Sequence, residues 1–340
     1  MPNPFSSCSR IFASSCRGSF LKRSFSAPSS GANPHTLSSR VKRGTCFALL
    51  LALVVLSPIA RAQTPSNRPR ILGITEVRLL STDLSSARDF YTHLVGANKL
   101  SPNVFYLNPL QSVALFDAPS PVPSSLVAEI VFETDSLRDL SAYLTAQKIQ
   151  FTPRLTTVRT WDVIRPAYSA LSVLDPDGHR IGFRQRPNNS SGTIPTGASR
   201  IIHAGFVVHD RAAMEHFYKD ILGFKPYWHG GMKDGETDWL DLQVPDGTDW
   251  IEFMLNVPAN ADKKLLGVMN HIALCVPDIH AAQKQLLTNG MKLSEEPQIG
   301  RDGKWQLNLY DPDDTRVELM EFSPTQKPCC SEYTGPHPKP

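Results

Sequence analysis

Apolar strand segments that carry a histidine and run into a helix-capping aspartate occur twice in the second half of the chain. The first is Arg200-Ile201-Ile202-His203-Ala204-Gly205-Phe206-Val207-Val208-His209-Asp210, and the second is Asn270-His271-Ile272-Ala273-Leu274-Cys275-Val276-Pro277-Asp278. In both, seven steps separate histidine from aspartate. Apolar side chains alternate along each segment as in a strand, and the aspartate is placed to cap the helix that follows. Two weaker copies lie upstream, a strand at 74–81 before Asp83 and a strand at 127–133 before Asp135. Phe90-Tyr91-Thr92-His93-Leu94-Val95-Gly96 also anticipates Phe217-Tyr218-Lys219-Asp220-Ile221-Leu222-Gly223. Self-similarity at a period of roughly 55–65 residues predicts four strand–helix–strands units, an α+β fold built by duplication.

The last two strands of the second and fourth units are joined by the tight turns Asp175-Pro176-Asp177-Gly178 and Asp311-Pro312-Asp313-Asp314. The predicted organisation is therefore a module pair at 63–186, a linker at 187–199, a second pair at 200–322, and a disordered Pro-rich tail at 323–340.

The net charge of +3 conceals two opposite parts. Residues 1–62 hold eight of the 35 basic residues and no acid, leaving 35 − 8 = 27 basic against 32 acidic residues, a body of charge −5. Such a body makes nucleic acid an unsuitable partner, because phosphate recognition needs a basic face. Lys42-Arg43, the apolar run 46–56 and Ala60-Arg61-Ala62 form a secretory signal, with cleavage predicted after Ala62. The apolar run is short for a bilayer span, so no stable membrane span is expected once the signal is removed. Residues 1–40 read either as a transit peptide ahead of a lumenal signal or as an overextended start. Export to a periplasm or the exterior is expected, with an organelle lumen as the alternative. Cys275, Cys329 and Cys330 remain after cleavage; an odd count without regular spacing predicts no disulfide framework and no CxxC metal site.

Glu252 in Trp250-Ile251-Glu252-Phe253 and Glu318 in Val317-Glu318-Leu319 place carboxylates inside otherwise apolar strands. A carboxylate there needs a partner. His203 to Glu252 spans 49 residues and His271 to Glu318 spans 47, so each unit offers one imidazole and one carboxylate in phase. Singly, a strand histidine is commonly a satisfied core residue and a terminal-strand Glu commonly faces solvent. Four in register point to one divalent ion, and two nitrogens with two oxygens suit Zn, Ni, Fe, Co or Mn.

With His203, the segment 217–224, Glu252, His271, and Tyr310-Asp311-Pro312-Asp313 leading to Glu318, residues 71–322 resemble the vicinal oxygen chelate superfamily, also called glyoxalase/bleomycin resistance/dioxygenase. That resemblance implies four βαβββ modules paired into two glyoxalase-like open barrels, with a metal in a cup that binds adjacent substrate oxygens. The His-Glu-His-Glu order resembles glyoxalase I. The upstream pair departs from it: aligned on the capping aspartates and turns, Glu76 faces His203, Ala128 faces His271, Gly182 faces Glu318, and 113–115 face Glu252. A metal-free, pocket-shaping duplicate is expected there.

The chemistry expected is an isomerase or lyase reaction on a small molecule with vicinal oxygens, with Glu252 or Glu318 as general base. Tyr227, Trp239, Trp250, Arg301, Lys304 and Trp305 are the candidates for substrate binding. An extradiol dioxygenase is the alternative enzyme, although the resemblance there implies a three-ligand site and a further histidine that 300–305 lacks. A non-catalytic drug-binding protein is the alternative outside enzymology. Glutathione adducts are cytosolic, so an exported relative would take another substrate. Four units in one chain permit a monomer, and a homodimer is equally compatible.

Overall fold

The computed structural model describes residues 68–95, 99–160, 163–185 and 199–339. The signal segment and nearly all of the 187–199 linker lie outside the described residues. Apolar alternation becomes strand in both halves. The first half runs β1 (Ile71–Ser81), α1 (Leu84–Val95), β2 (Lys99–Ser101), β3 (Val104–Asn108), β4 (Gln111–Asp117), β5 (Val127–Thr134), α2 (Leu137–Ala146), β6 (Phe151–Thr160), β7 (Val163–Leu174) and β8 (Arg180–Gln185). The second half runs β9 (Arg200–Val207), α3 (Arg211–Glu215), β10 (Lys225–Gly230), β11 (Trp239–Gln243), β12 (Trp250–Met254), α4 (Lys263–Met269), β13 (His271–Val276), α5 (Ile279–Thr288), β14 (Gln298–Ile299), β15 (Trp305–Tyr310) and β16 (Arg316–Glu321). Helix α3 continues as a π-helical stretch, His216–Ile221. Among the described residues, no helix is long and apolar enough to cross a membrane.

Local chemistry starts the helices. Asp83, Asp210 and Asp278 accept backbone N–H groups of the first turns of α1, α3 and α5. Helix α2 differs from expectation: Ser136 caps it, and Asp135 instead accepts the N–H of Arg70. Helix α4 was not anticipated; Asp262 caps it within a stretch too short to show a helical period.

Each half forms one mixed eight-stranded sheet, ordered β2-β3-β4-β1-β5-β8-β7-β6 and β10-β11-β12-β9-β13-β16-β15-β14. The orders coincide position for position. In both, the two central strands are antiparallel to each other, and each is parallel to its outer neighbour. Residues of both halves share a single apolar core.

The Asp-Pro-Asp turns lock the halves together. Asp177 accepts the backbone N–H groups of His209 and Asp210 at the start of α3, and Asp313 accepts that of Thr82 at the start of α1. The same turns take tyrosines from the opposite half, Tyr218 on Asp175 at 3.0 Å and Tyr91 on Asp311 at 3.3 Å. Negative charge at a helix N-terminus is favourable, so each exchange stabilises the docking it depends on.

Strand register corrects one expected correspondence. Gly205 pairs with Glu252 and with His271, and Arg78 pairs with Ala114 and with Glu129. Glu129 rather than Ala128 therefore stands in the place of His271, because Ser136 and not Asp135 caps α2, which moves the seven-residue count by one. Ala114, Glu76 and Gly182 match Glu252, His203 and Glu318. The first-half cup holds ion pairs. Arg78 contacts Glu76 at 2.6 Å and Glu129 at 2.5 Å, while Arg184 contacts Glu76 at 3.2 Å. Arg78, standing where the second sheet has glycine, supplies the countercharge there. Arg78→Met should leave two buried carboxylates undercompensated and cost about 3–5 kcal/mol in denaturant unfolding, with metal content unchanged.

Candidate metal centre

Four neighbouring strands at the middle of the second sheet each deliver one side chain. Glu252 comes from β12, His203 from β9, His271 from β13 and Glu318 from β16. The parallel pairings place Trp250 beside His203 and Glu318 beside Ala273, and the antiparallel pairing places Ala273 beside His203. Side chains on one face of adjacent strands therefore converge.

His203 Nε2 lies 3.0 Å from His271 Nε2, which lies 3.0 Å from Glu252 Oε2. Glu318 Oε2 is 3.7 Å from His203 Nε2 and 3.8 Å from His271 Nε2, and the His203–Glu252 separation is 3.8 Å. Donors about 2.1 Å from one ion stand about 3.0 Å apart at right angles and about 4.2 Å apart when opposed, so every separation falls in the range a shared ion needs. His203, Glu252 and His271 form the tightest group, with Glu318 completing it from the far strand.

The imidazoles are prepared as ligands. His271 Nδ1 lies 3.0 Å from the carbonyl oxygen of Met269, at the end of α4. A carbonyl only accepts, so Nδ1 carries the hydrogen and the Nε2 lone pair faces the cup. Burial holds both histidines well below the usual imidazole range, which keeps them neutral. Burial pushes Glu252 and Glu318 up to about 7; Arg316 opposes the rise at both, and Glu252 adds to it at Glu318. Two buried carboxylates destabilised as anions, beside two neutral imidazoles, fit a divalent cation that would offset their charge. Gly205 makes room for this: a Cβ there would come 2.1 Å from Cε1 of His271.

The expected substrate-binding residues divide. Trp250 and Tyr227 are buried together, ring centroids 5.0 Å apart, and Trp250 lies 4.9 Å from the His203 ring. Lys304 is completely buried over Trp250. Trp239 stacks on Trp228 at the edge of this aromatic cluster. Arg301 and Trp305 lie elsewhere. Arg301 is exposed and engages Asp234 and the carbonyl of Gly231, while Trp305 packs against His280 of α5. Neighbours in sequence to Lys304, they are turned away by the local backbone, which sequence distance does not reveal.

Three further residues belong to the site. Arg316 donates to His271 Nε2 at 2.9 Å, using the lone pair that an ion would take. Its position two residues before Glu318 on one strand was a legible signal. Asp241, buried, is the cross-strand partner of Glu252, a relation that only pairing reveals.

The third is Tyr333, in the tail expected to be disordered. The tail is folded onto the cup. Cys329 donates its N–H to the Arg301 carbonyl, Thr334 to that of Tyr227, and Trp228 and Gln243 side chains reach the carbonyls of Cys329 and Pro336. The Tyr333 ring lies 4.9 Å from that of Tyr227, and Tyr227 Oη lies 2.6 Å from His337 Nδ1. Cys329 and Cys330, in a chain whose cysteine spacing predicted no disulfide framework, are joined by a disulfide. Composition pointed to disorder because proline-rich chain makes no ladder of its own; the bonds that seat it on the cup go to residues distant in sequence.

The family profile described as Glyoxalase/Bleomycin resistance protein/Dioxygenase superfamily matches residues 200–319. A curated protein named probable lactoylglutathione lyase, chloroplastic, from Arabidopsis thaliana is 27% identical over 135 residues, covering 38% of this chain and 38% of that protein. Homoprotocatechuate 2,3-dioxygenase from Arthrobacter globiformis superposes with a TM-score of 0.55 at 18% identity, covering 79% of this chain and 83% of that one. The Brevibacterium fuscum enzyme in complex with 3,4-dihydroxyphenylacetate superposes with a TM-score of 0.53 at 18% identity, covering 80% and 84%. At such identity these two solved structures show a shared fold. Residues 200–319, which carry the four-strand cup, thus match the glyoxalase/bleomycin resistance protein/dioxygenase superfamily.

Proposed function

We propose that His203, Glu252, His271 and Glu318 hold one divalent ion (Zn, Ni, Fe, Co or Mn) and that the chain catalyses an isomerase- or lyase-type reaction. The substrate is a small molecule with oxygens on adjacent atoms. The supporting observation is the convergence of two neutral imidazoles and two carboxylates from four central strands. The ion would act as a Lewis acid toward the neighbouring oxygens. Glu252 is the general base in this reading: its side chain is 13% exposed against 5% for Glu318, so it meets the open side of the cup. With its charge offset by the ion, the Glu252 carboxylate would be ionised near neutral pH and able to take a proton from a carbon next to a polarised carbonyl and return it. Trp250 and Tyr227 exclude water from one wall. In this reading the strand–helix–strands units are four βαβββ modules, each pair an open barrel, and the ion-paired first half shapes the assembly without holding metal.

A ring-cleaving dioxygenase is the second reading, favoured by the two-sheet likeness to the homoprotocatechuate dioxygenases over about four fifths of the chain. The fourth protein ligand argues against it, since oxygen activation needs open positions on the metal. Metal quantitation should give one ion per chain, and an oxygen electrode should record no uptake with catechols. Oxygen uptake would establish the second reading. Absent metal with retained binding of small molecules would make the chain a binding protein.

A further inference from the structure

Lys304 has no use in the chemistry above, yet it is the most completely buried charged group of the second half. The turn at Gly303, whose φ of +83° favours glycine, precedes the lysine whose side chain lies inside. Its residue exposure is 0%, and its Nζ has no hydrogen-bond partner. Three aromatic rings surround the ammonium, Trp250 at 4.5 Å, Tyr333 at 5.1 Å and Tyr227 at 5.7 Å. The nearest carboxylate oxygen, Asp302 Oδ2, is 4.0 Å away. Asp302 is already committed: it accepts from the Lys304 backbone N–H, from Gln306 and from Tyr333. Ring faces return only part of what desolvating an ammonium costs.

Other orphans surround the same cup. Trp250 Nε1 and Arg316 Nε are buried donors without partners, and Asp241 Oδ1 is a buried acceptor without one. Trp250 joins the two regions, with Lys304 over its face and the His203 ring 4.9 Å away. Asp302 balances the Lys304 charge from 4.0 Å, yet no acceptor meets the ammonium's N–H groups.

We propose that Lys304 receives an anionic group of the substrate, which makes that substrate a small organic acid carrying vicinal oxygens at one end and a carboxylate, or an equivalent anion, at the other. This deepens the metal-enzyme reading and rests on it. Tyr333 closes the pocket over the ammonium through its bond to Asp302, so the C-terminal segment must yield as the acid enters.

Two hydroxamates test this without turnover. Acetohydroxamate and succinic monohydroxamate offer the same adjacent oxygens, and only the second adds a carboxylate. Calorimetry on the zinc-loaded full chain should give the acid probe an advantage of about 10-fold or more. In Lys304→Met that advantage should vanish, with acetohydroxamate affinity kept within about twofold, and in Lys304→Arg part of it should return. Wild type that chelates both probes equally, or Lys304→Met that still discriminates, overturns the assignment and leaves the metal centre standing. Wild type that takes up no metal overturns both.

Discussion

His203→Ala should strip the protein of its metal while leaving it folded. One of two nitrogen donors is lost from a four-donor set, and water cannot replace a buried imidazole held in place by Trp250. Losing an outer-shell partner costs about 10–100-fold in metal affinity, so losing a ligand should exceed that range. Atomic absorption after dialysis should find near-stoichiometric metal in wild type and almost none in His203→Ala, and activity should fall with it. Gly205→Ala should reach the same endpoint indirectly, because its Cβ occupies the space of the His271 ring. Full metal content in both variants would sink the proposed centre.

The second large effect is on proton transfer. Glu252, as the base, must be ionised, and its carboxyl is pushed up to about 7 by burial. A bound divalent ion would draw that value down, so Glu252 would be ionised across the neutral range in the metal-loaded enzyme, and Glu252→Gln should lose about 10²–10⁴-fold in turnover. Metal-loaded Glu252→Gln with wild-type turnover would exclude Glu252 from this role.

The same groups set a stability signature in metal-free protein. Glu252 and Glu318 are raised from 4.5 to about 7, so the stability they contribute is present below 4.5 and is lost as pH rises toward 7. His203 and His271 are depressed below 6.5, so their contribution is present above 6.5 and is lost as pH falls. Between 4.5 and 6.5 the two oppose each other, and from 6.5 to about 7 the carboxylates act alone. Added zinc should consequently raise the melting temperature more at pH 8 than at pH 6, measurable by calorimetry.

Much of this site was visible in the chain because strand periodicity is local. Residues two apart share a face, so His203, His271, Glu252 and Glu318 could be read as inward groups in apolar strands, and equal spacing linked them. The α+β class and the helix starts at Asp210 and Asp278 followed from the same short-range rules. What escaped was whatever depends on a distant partner. The Ala128 correspondence failed because it was counted from Asp135, whereas the adjacent Ser136 caps the helix and Asp135 is drawn off to Arg70. Arg301 and Trp305 flank the lysine that lies inside, yet they leave the cup because backbone direction at a turn decides where each side chain points.

The sequence alone determined which residue types stand in phase, since that requires only the period of a strand and the cost of burying charge. The tertiary structure decided which of those residues meet, what fills the matching cup of the first half, and that the C-terminal tail lies over the second. Those outcomes depend on pairings between residues tens to hundreds of positions apart, as between Trp228 and Cys329 or Arg78 and Glu129. Their free energies arise only once the sheets have formed and water has been excluded between them.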